Sequence, residues 1–284
     1  MKVLVTGYTG QLGYDVVHQG LQLGLIMVGI GSKDLDITNK EAVFQYVKKE
    51  KPDAIIHCAA YTAVDKAEEN KITCQRVNVN GTSNLAEVAR EINSKFMYIS
   101  TDYVFNGEGQ TPFQETDETS PIGYYGRTKL EGEDAVKQLL DKWFIIRISW
   151  VFGINGNNFV KTMLRLAETR DELNVVGDQF GSPTYTSDLA KLLIDMIKTD
   201  KYGIYHASNE GFCSWADFAQ EVFRQAKIKV KVNSISTEEY PTRAVRPKNS
   251  RMSKQKLVEN GFNSLPEWQN AVERYLKQLT QEVK

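Results

Sequence analysis

Short apolar runs alternate along this chain with longer stretches in which apolar residues return every three or four positions. Val3-Leu4-Val5-Thr6, Ile26-Met27-Val28-Gly29-Ile30, Ala54-Ile55-Ile56-His57-Cys58, Phe96-Met97-Tyr98-Ile99-Ser100 and Trp143-Phe144-Ile145-Ile146-Arg147-Ile148 read as five strands. Between the first two, Leu12, Val16, Val17 and Leu21 recur at helical spacing. Ala42, Val43, Tyr46 and Val47 mark a second helix that ends before Pro52, because the residue ahead of a proline is pushed out of the helical region. A third helix is expected from about Val77 to Ile92, and a fourth carries Tyr125 and Lys129. Strands that are apolar at nearly every position are covered on both faces. The expected fold is therefore α/β, a Rossmann-type doubly wound parallel sheet with right-handed connections, and ligands should bind beyond the carboxyl ends of the strands.

The second half is more mixed. Phe159 to Ala167, Leu189 to Ile197 and Trp215 to Ala226 read as helices, and Gly203 to His206 as a strand. Pro266-Glu267-Trp268 is expected to open a last helix with proline in its first turn. There are no repeats, low-complexity tracts or long linkers.

Composition excludes several classes. Of 284 residues, 25% are charged and the net charge is -1, which leaves no electrostatic footprint for a nucleic acid. The apolar runs are too short to span a bilayer. Met1-Lys2 leads straight into a strand, so no signal peptide is expected. Cys58, Cys74 and Cys213 are odd in number and dispersed, making neither a disulfide framework nor a zinc spacing. His18, His57 and His206 show no metal-ligand spacing and read as buried or surface filler. The expectation is a cytoplasmic, reduced protein without metal, membrane or nucleic-acid partner.

Gly7, Gly10 and Gly13 follow the first strand and open a helix, the context a dinucleotide site requires. Glycines let the backbone approach a pyrophosphate, and the helix start supplies amide donors. The cradle Gly7-Tyr8-Thr9-Gly10-Gln11-Leu12-Gly13 is thus a candidate cofactor site. An acid near the end of strand two is expected where NAD is preferred. Strand two instead ends Gly29-Ile30-Gly31-Ser32-Lys33, so Ser32 and Lys33 are candidates for a 2′-phosphate, and NADPH is the expected cofactor with NADH as the alternative. A solvated loop lysine is the other reading of Lys33. Ala59, Ala60 and Tyr61 follow strand three, where a cofactor would cross the sheet edge. Residues 1–150 are expected to form the NAD(P)-binding Rossmann domain. Residues 151–284 should be mainly a smaller, interleaved substrate domain, with some segments returning to the sheet.

Carbonyl reduction needs a hydride on one face and a proton for the developing alkoxide. Tyrosine, with a pKa of about 10, is a poor donor near neutrality until a neighbouring ammonium lowers that value. Tyr125 and Lys129 stand at i and i+4 and share a helix face. Thr101, at a strand end, is placed to hydrogen-bond the carbonyl oxygen. Tyr124 is the competitor, but its i+4 residue is Thr128.

With these residues in place the chain resembles the dTDP-4-dehydrorhamnose reductases, of the extended short-chain dehydrogenase/reductase superfamily. The resemblance runs through the glycine cradle, Ala59 to Glu68, Ser100-Thr101-Asp102-Tyr103-Val104-Phe105, Tyr125 to Lys129, Arg147 to Phe152, Gly156 to Met163, Asp178 to Thr184 and Arg246 to Ser250. It implies NAD(P)H-dependent reduction of the 4-keto group of dTDP-6-deoxy-L-lyxo-4-hexulose to dTDP-L-rhamnose, in a bacterial surface-polysaccharide pathway. By the same resemblance Thr101, Tyr125 and Lys129 are the catalytic set. Asp36 and Ile37 sit where the superfamily often contacts adenine. Val64, Asp65, Asp102, Tyr103, Trp150, Asn158 and Arg246 would serve the dTDP-sugar, with Trp150 stacking on the deoxysugar. Arg243, Arg246, Lys248 and Arg251 form the one basic cluster, suited to a diphosphate; a solvated loop is the other reading. Some family members dimerise through magnesium held by glutamates. The matching regions here carry Asp15 and Asp188, so no metal site is carried over, and both monomer and homodimer stay open. Two other readings also stay open: a different nucleotide-sugar reductase or epimerase of the superfamily, and a non-catalytic nucleotide-binding subunit.

Overall fold

The computed structural model describes residues 1–282; the last two residues of the expected 151–284 segment lie outside it. In chain order the elements of the first half are β1 (Lys2–Thr6), α1 (Gln11–Gln22), β2 (Ile26–Ile30), α2 (Lys40–Glu50), β3 (Ala54–His57), α3 (Val64–Ala67), α4 (Lys71–Gln75), α5 (Thr82–Glu91), β4 (Lys95–Thr101), α6 (Tyr124–Leu139) and β5 (Trp143–Ile148). Then come β6 (Val151–Phe152), α7 (Phe159–Ala167), β7 (Glu172–Val176), β8 (Phe180–Gly181), β9 (Thr184–Tyr185), α8 (Thr186–Ile197), β10 (Gly203–His206), β11 (Cys213–Ser214), α9 (Trp215–Ala226), β12 (Lys231–Ile235), α10 (Gln255–Glu259) and α11 (Trp268–Glu282).

Six strands form one sheet in the order β10-β5-β4-β3-β1-β2, parallel throughout. Side chains alternate across a strand, so each run feeds two cores. Val3, Val5, Ala54, Ile56, Met97 and Phe144 pack on one face with α1 and α8. Leu4, Ile55, Phe96, Tyr98 and Ile145 pack on the other with α2, α5 and α6. The chain reverses direction across the sheet between β1 and β3. Thr6 lies opposite both His57 and Ile30, so the loops after these strands share one edge. Pairing of His57 with Tyr98 lets β4 run on to Thr101, which pairs with Ile148. This is the edge where ligands collect in open α/β sheets. No helix among the described residues is long and apolar enough to cross a membrane.

Residues after β5 build a second, aromatic core from Phe152, Tyr185, Phe218, Trp268 and Tyr275. Three small strand pairs, β12 with β7, β6 with β9 and β8 with β11, sit beside it. Among the described residues of this half, only β10 joins the large sheet, parallel to β5.

Two expectations need correction. The third helix begins well before Val77. Lys71–Gln75 runs into a π-helical stretch, Arg76–Gly81, and then Thr82–Glu91. The extra residue in the turn swings Asn78 inward, where its Oδ1 accepts from Tyr61 N at 2.8 Å and its Nδ2 donates to Thr128 Oγ1 at 3.0 Å. Pro266 is also not in the first turn of the last helix. Its carbonyl accepts from Glu210 N, and Trp268 N donates to Glu210 O, each at 3.0 Å, holding the segment extended until Trp268.

Candidate active site

The loops at the sheet edge enclose a cleft of about 1570 Å³. Gly7 turns with φ of +70°, and a Cβ there would come within 2.7 Å of Ala59 N. A Cβ on Gly13 would strike Gly7 O. The β1 and β3 loops therefore touch backbone to backbone. Helix α1 starts from Gly10 with no side-chain cap, which leaves its first amides open towards the cleft. This bare, donor-rich floor fits a dinucleotide pyrophosphate. Gln11, Leu12, Ser32, Asp36, Ile37, Ala59, Ala60 and Tyr61 line the same cleft. Asp36 lies below the ordinary aspartate value because Thr38 donates to it. Lys33 departs from expectation. It is exposed and outside the lining, because the loop turns on a 2.7 Å hydrogen bond from Gly31 N to Asp34 Oδ2 that sends its side chain to solvent.

The catalytic candidates meet at the end of β4. Helix α6 is pressed on the turn after Thr101: a Cβ on Gly126 would strike Tyr103 O. Tyr125 thereby faces the cleft, edge-on to Tyr103 with ring centroids 5.6 Å apart. Tyr124 points elsewhere, its hydroxyl donating to Gln75 Oε1 at 3.2 Å. Thr101 Oγ1 accepts from Tyr103 N at 3.2 Å and donates to Asp102 Oδ1 at 3.0 Å. Lys129 is 2% exposed; its Nζ donates to Ile99 O at 2.7 Å and lies 3.9 Å from the centre of the Tyr98 ring.

The electrostatics correct one expectation. Tyr125 is not lowered by Lys129. Protein packed round the phenol raises it above the usual tyrosine value, the Asp102 charge adds to this, and a hydrogen bond with Thr101 only partly opposes them. Lys129 itself is pulled down to about 7 by burial, against the Glu133 carboxylate. Asp102 is pushed up to about 6, again by burial, with hydrogen bonds from Ser250 and Thr101 opposing.

On the other wall, Arg246 donates to Asp65 Oδ2 at 2.5 Å and to Tyr103 Oη at 3.0 Å, and Ala244 N donates to Asp65 Oδ1 at 3.1 Å. Val64, Asp65, Asp102, Tyr103 and Arg246 all line the cleft. So does Trp150, but one face of its indole is taken by Trp215, 3.6 Å away and 12° from parallel. At most the other face is free for a sugar. Trp150 also holds a φ of 49°, costly for a bulky residue and a mark of functional strain.

Asn158 does not line the cleft. Its Oδ1 caps α7 at Lys161 N, and its Nδ2 donates to Gly153 O, Tyr275 Oη and Gln11 Oε1. Its polar atoms are used to join α1, α7 and α11, not to meet a ligand. The basic cluster also disperses. Arg243 pairs with Glu69, Lys248 with Glu238 and Asp178, and Arg251 lies over Phe180, which leaves Arg246 as the only one of the four in the lining. Asp15 accepts from Thr186, and Asp188 is held by Arg274 at 2.5 and 2.6 Å. Trp215, Arg170 and Ser250 also line the cleft, with no role expected for them from the sequence. Ser250 lies inside the Arg246-to-Ser250 segment, the one signal that marked it.

The RmlD substrate binding domain family matches residues 1–281. A dTDP-4-dehydrorhamnose reductase of Aggregatibacter actinomycetemcomitans is 44% identical, over 95% of this chain and 97% of that protein. The crystal structure of a dTDP-4-dehydrorhamnose reductase from Clostridium acetobutylicum superposes with a TM-score of 0.96 at 44% identity, covering 99% of this chain and 100% of that one. That of the Bacillus anthracis enzyme in complex with NADP gives 0.95 at 43% identity, covering 98% and 99%. The chain belongs to the dTDP-4-dehydrorhamnose reductase family.

Proposed function

We propose that this protein uses NAD(P)H, with NADPH preferred, to reduce the 4-keto group of dTDP-6-deoxy-L-lyxo-4-hexulose, giving dTDP-L-rhamnose. The observation that carries this reading is Tyr125 facing the cleft beside Thr101, at the end of the strand edge that also bears the glycine cradle. Full-length similarity to reductases of this name supports the substrate, and the NADP-bound relative supports the cofactor.

Residues 1–150 supply the cradle, the catalytic set and Trp150, and residues after 150 supply Trp215 and Arg246 to the sugar side. Gly7, Gly10 and Gly13 would hold the pyrophosphate, with Asp36 and Ile37 towards the adenosine. Bound reduced nicotinamide supplies the hydride. Thr101 Oγ1 fixes the carbonyl oxygen, and Tyr125 Oη gives it a proton as negative charge develops. A neutral phenol is the form that donates, and the raised Tyr125 is neutral throughout the physiological range. Asp65 and Arg246 are already paired, so a sugar hydroxyl or phosphate would enter an existing hydrogen-bond network. A purely binding subunit has no use for the Tyr125, Thr101 and Lys129 arrangement.

The test follows loss of reduced-nicotinamide absorbance with the hexulose substrate and identifies the product sugar, with NADPH and NADH run side by side. Tyr125→Phe should lower turnover by roughly 10²–10⁴-fold with cofactor affinity unchanged. Turnover that survives this substitution, or a wild-type protein that binds cofactor without oxidising it, overturns the reading.

A further inference from the structure

Beneath the catalytic pair lies a buried ion pair that the reaction does not use directly. We propose that Glu133, held by Arg147 and Ser100, is a positioning residue that keeps Lys129 in its ammonium form inside the cleft wall. The proposal rests on the reading of Tyr125 and Lys129 as catalytic.

Tyr125, Lys129 and Glu133 follow at four-residue steps on α6 and so form one stripe of the helix. Glu133 is 0% exposed and Arg147 2%. Arg147 grips the carboxylate with both sides of its fork, Nε to Oε1 at 2.9 Å and Nη2 to Oε2 at 2.8 Å, and Ser100 Oγ donates to Oε1 at 2.5 Å. The guanidinium also lies 5.0 Å from the centre of the Phe105 ring. Buried ion pairs contribute little to net stability compared with apolar residues of the same size. One placed a helical turn from a buried lysine therefore invites another explanation.

The surroundings of Lys129 supply it. Its ammonium touches the Tyr98 ring and the Ile99 carbonyl of β4. The titratable groups that act on it or feel it are Glu133 on α6, His57 and Cys58 from β3 and its loop, and Cys74 on α4, with Tyr125 one turn earlier on the same helix. Burial keeps His57 neutral, pushed down to about 3, and keeps Cys58 a thiol, pushed up to about 12. Cys74, Tyr98 and Tyr125 are likewise raised. Among these groups Glu133 is the one carboxylate. It opposes the burial that would strip the proton from Lys129. Arg147 and Ser100 hold that carboxylate in place, so its field on Lys129 does not depend on a flexible side chain.

The experiment reads Lys129 directly, in cofactor-free protein carrying ¹³C at lysine Cε, with the Lys129 signal assigned by its loss in Lys129→Arg. In the double variant Glu133→Gln/Arg147→Met neither partner is left as a lone buried charge. Its Lys129 should titrate lower by about one pH unit or more, a tenfold change in acid dissociation. The alkaline fall of kcat/KM should move down with it. Arg147→Met alone should move both upward, because the carboxylate then faces Lys129 without a competing cation. A folded double variant in which Lys129 titrates as in wild type overturns the proposal and leaves the pair a packing device. If Arg147→Met does not fold, the double variant decides. A wild-type protein that fails to turn over the hexulose sinks the catalytic reading alone, since the lysine titration is measured without substrate or cofactor.

Discussion

Lys129 sits where a charge is poorly tolerated, and that has opposite consequences for stability and for turnover. Its value falls from 10.5 to about 7 in the folded protein. A lowered lysine means that the unfolded chain binds the proton more readily. Stability is therefore lost as pH drops from about 10.5 towards 7, and the loss persists below that. Lys129→Met should raise the Tm of the cofactor-free protein at neutral pH, by an amount on the order of 1–3 kcal/mol in stability, while abolishing reduction. A drop in Tm would mean that the bonds to Ile99 O and the Tyr98 ring outweigh the burial cost. Turnover of the wild-type enzyme should fall as pH rises through about 7, when the ammonium loses its proton. A pH profile flat across that range would contradict the assignment. Trp150 shows a second local cost, a left-handed backbone at a bulky residue whose ring is stacked on Trp215.

At the scale of elements, loops and caps set the site more than the helices and strands do. Asn158→Ala should cost about 1–3 kcal/mol in denaturant unfolding and leave KM for the sugar nucleotide nearly unchanged, because this residue joins three helices. A large KM rise with unaltered stability would restore it to the substrate site. Gly13→Ala should abolish cofactor binding with the fold kept, because the added Cβ strikes Gly7 O and pushes the cradle open; normal binding would show that the cradle can give. The large sheet was legible because its strands are continuous apolar runs, and β5, β10, α7 and α9 begin and end where their patterns do. The small pairs β6 with β9 and β8 with β11 have two residues per strand, too few to show any period. The π-helical turn at Asn78 escaped notice because one inserted residue leaves helical spacing intact on either side. Site residues next to strands β1, β3 and β4 were readable from position alone. Trp215 and Arg170 reach the cleft through tertiary packing and leave no local trace. The fate of Asn158 and of the basic cluster depended on partners far along the chain, as with Arg243 and Glu69.

For the whole molecule, the two halves are tied at several points. Gln11 accepts from Gly153 N at 2.9 Å, Asn155 donates to Thr9 O at 2.8 Å, and α8 supplies Leu189, Leu193 and Met196 to the core over α1. The cradle is therefore buttressed by residues more than a hundred positions downstream. A fragment of residues 1–150 should be poorly soluble, or lack a cooperative thermal transition, despite containing all the candidate catalytic residues. A well-behaved fragment with a sharp transition would show that the second half adds substrate contacts only. The position of β10 extends this to synthesis. On a ribosome, β5 emerges long before Gly203–His206, the strand that pairs with it. Until that later stretch is made, β5 is an open, apolar sheet margin available to any neighbouring chain. The nascent protein thus has an interval of stickiness, and chaperone demand should peak while residues between 150 and 206 are being added.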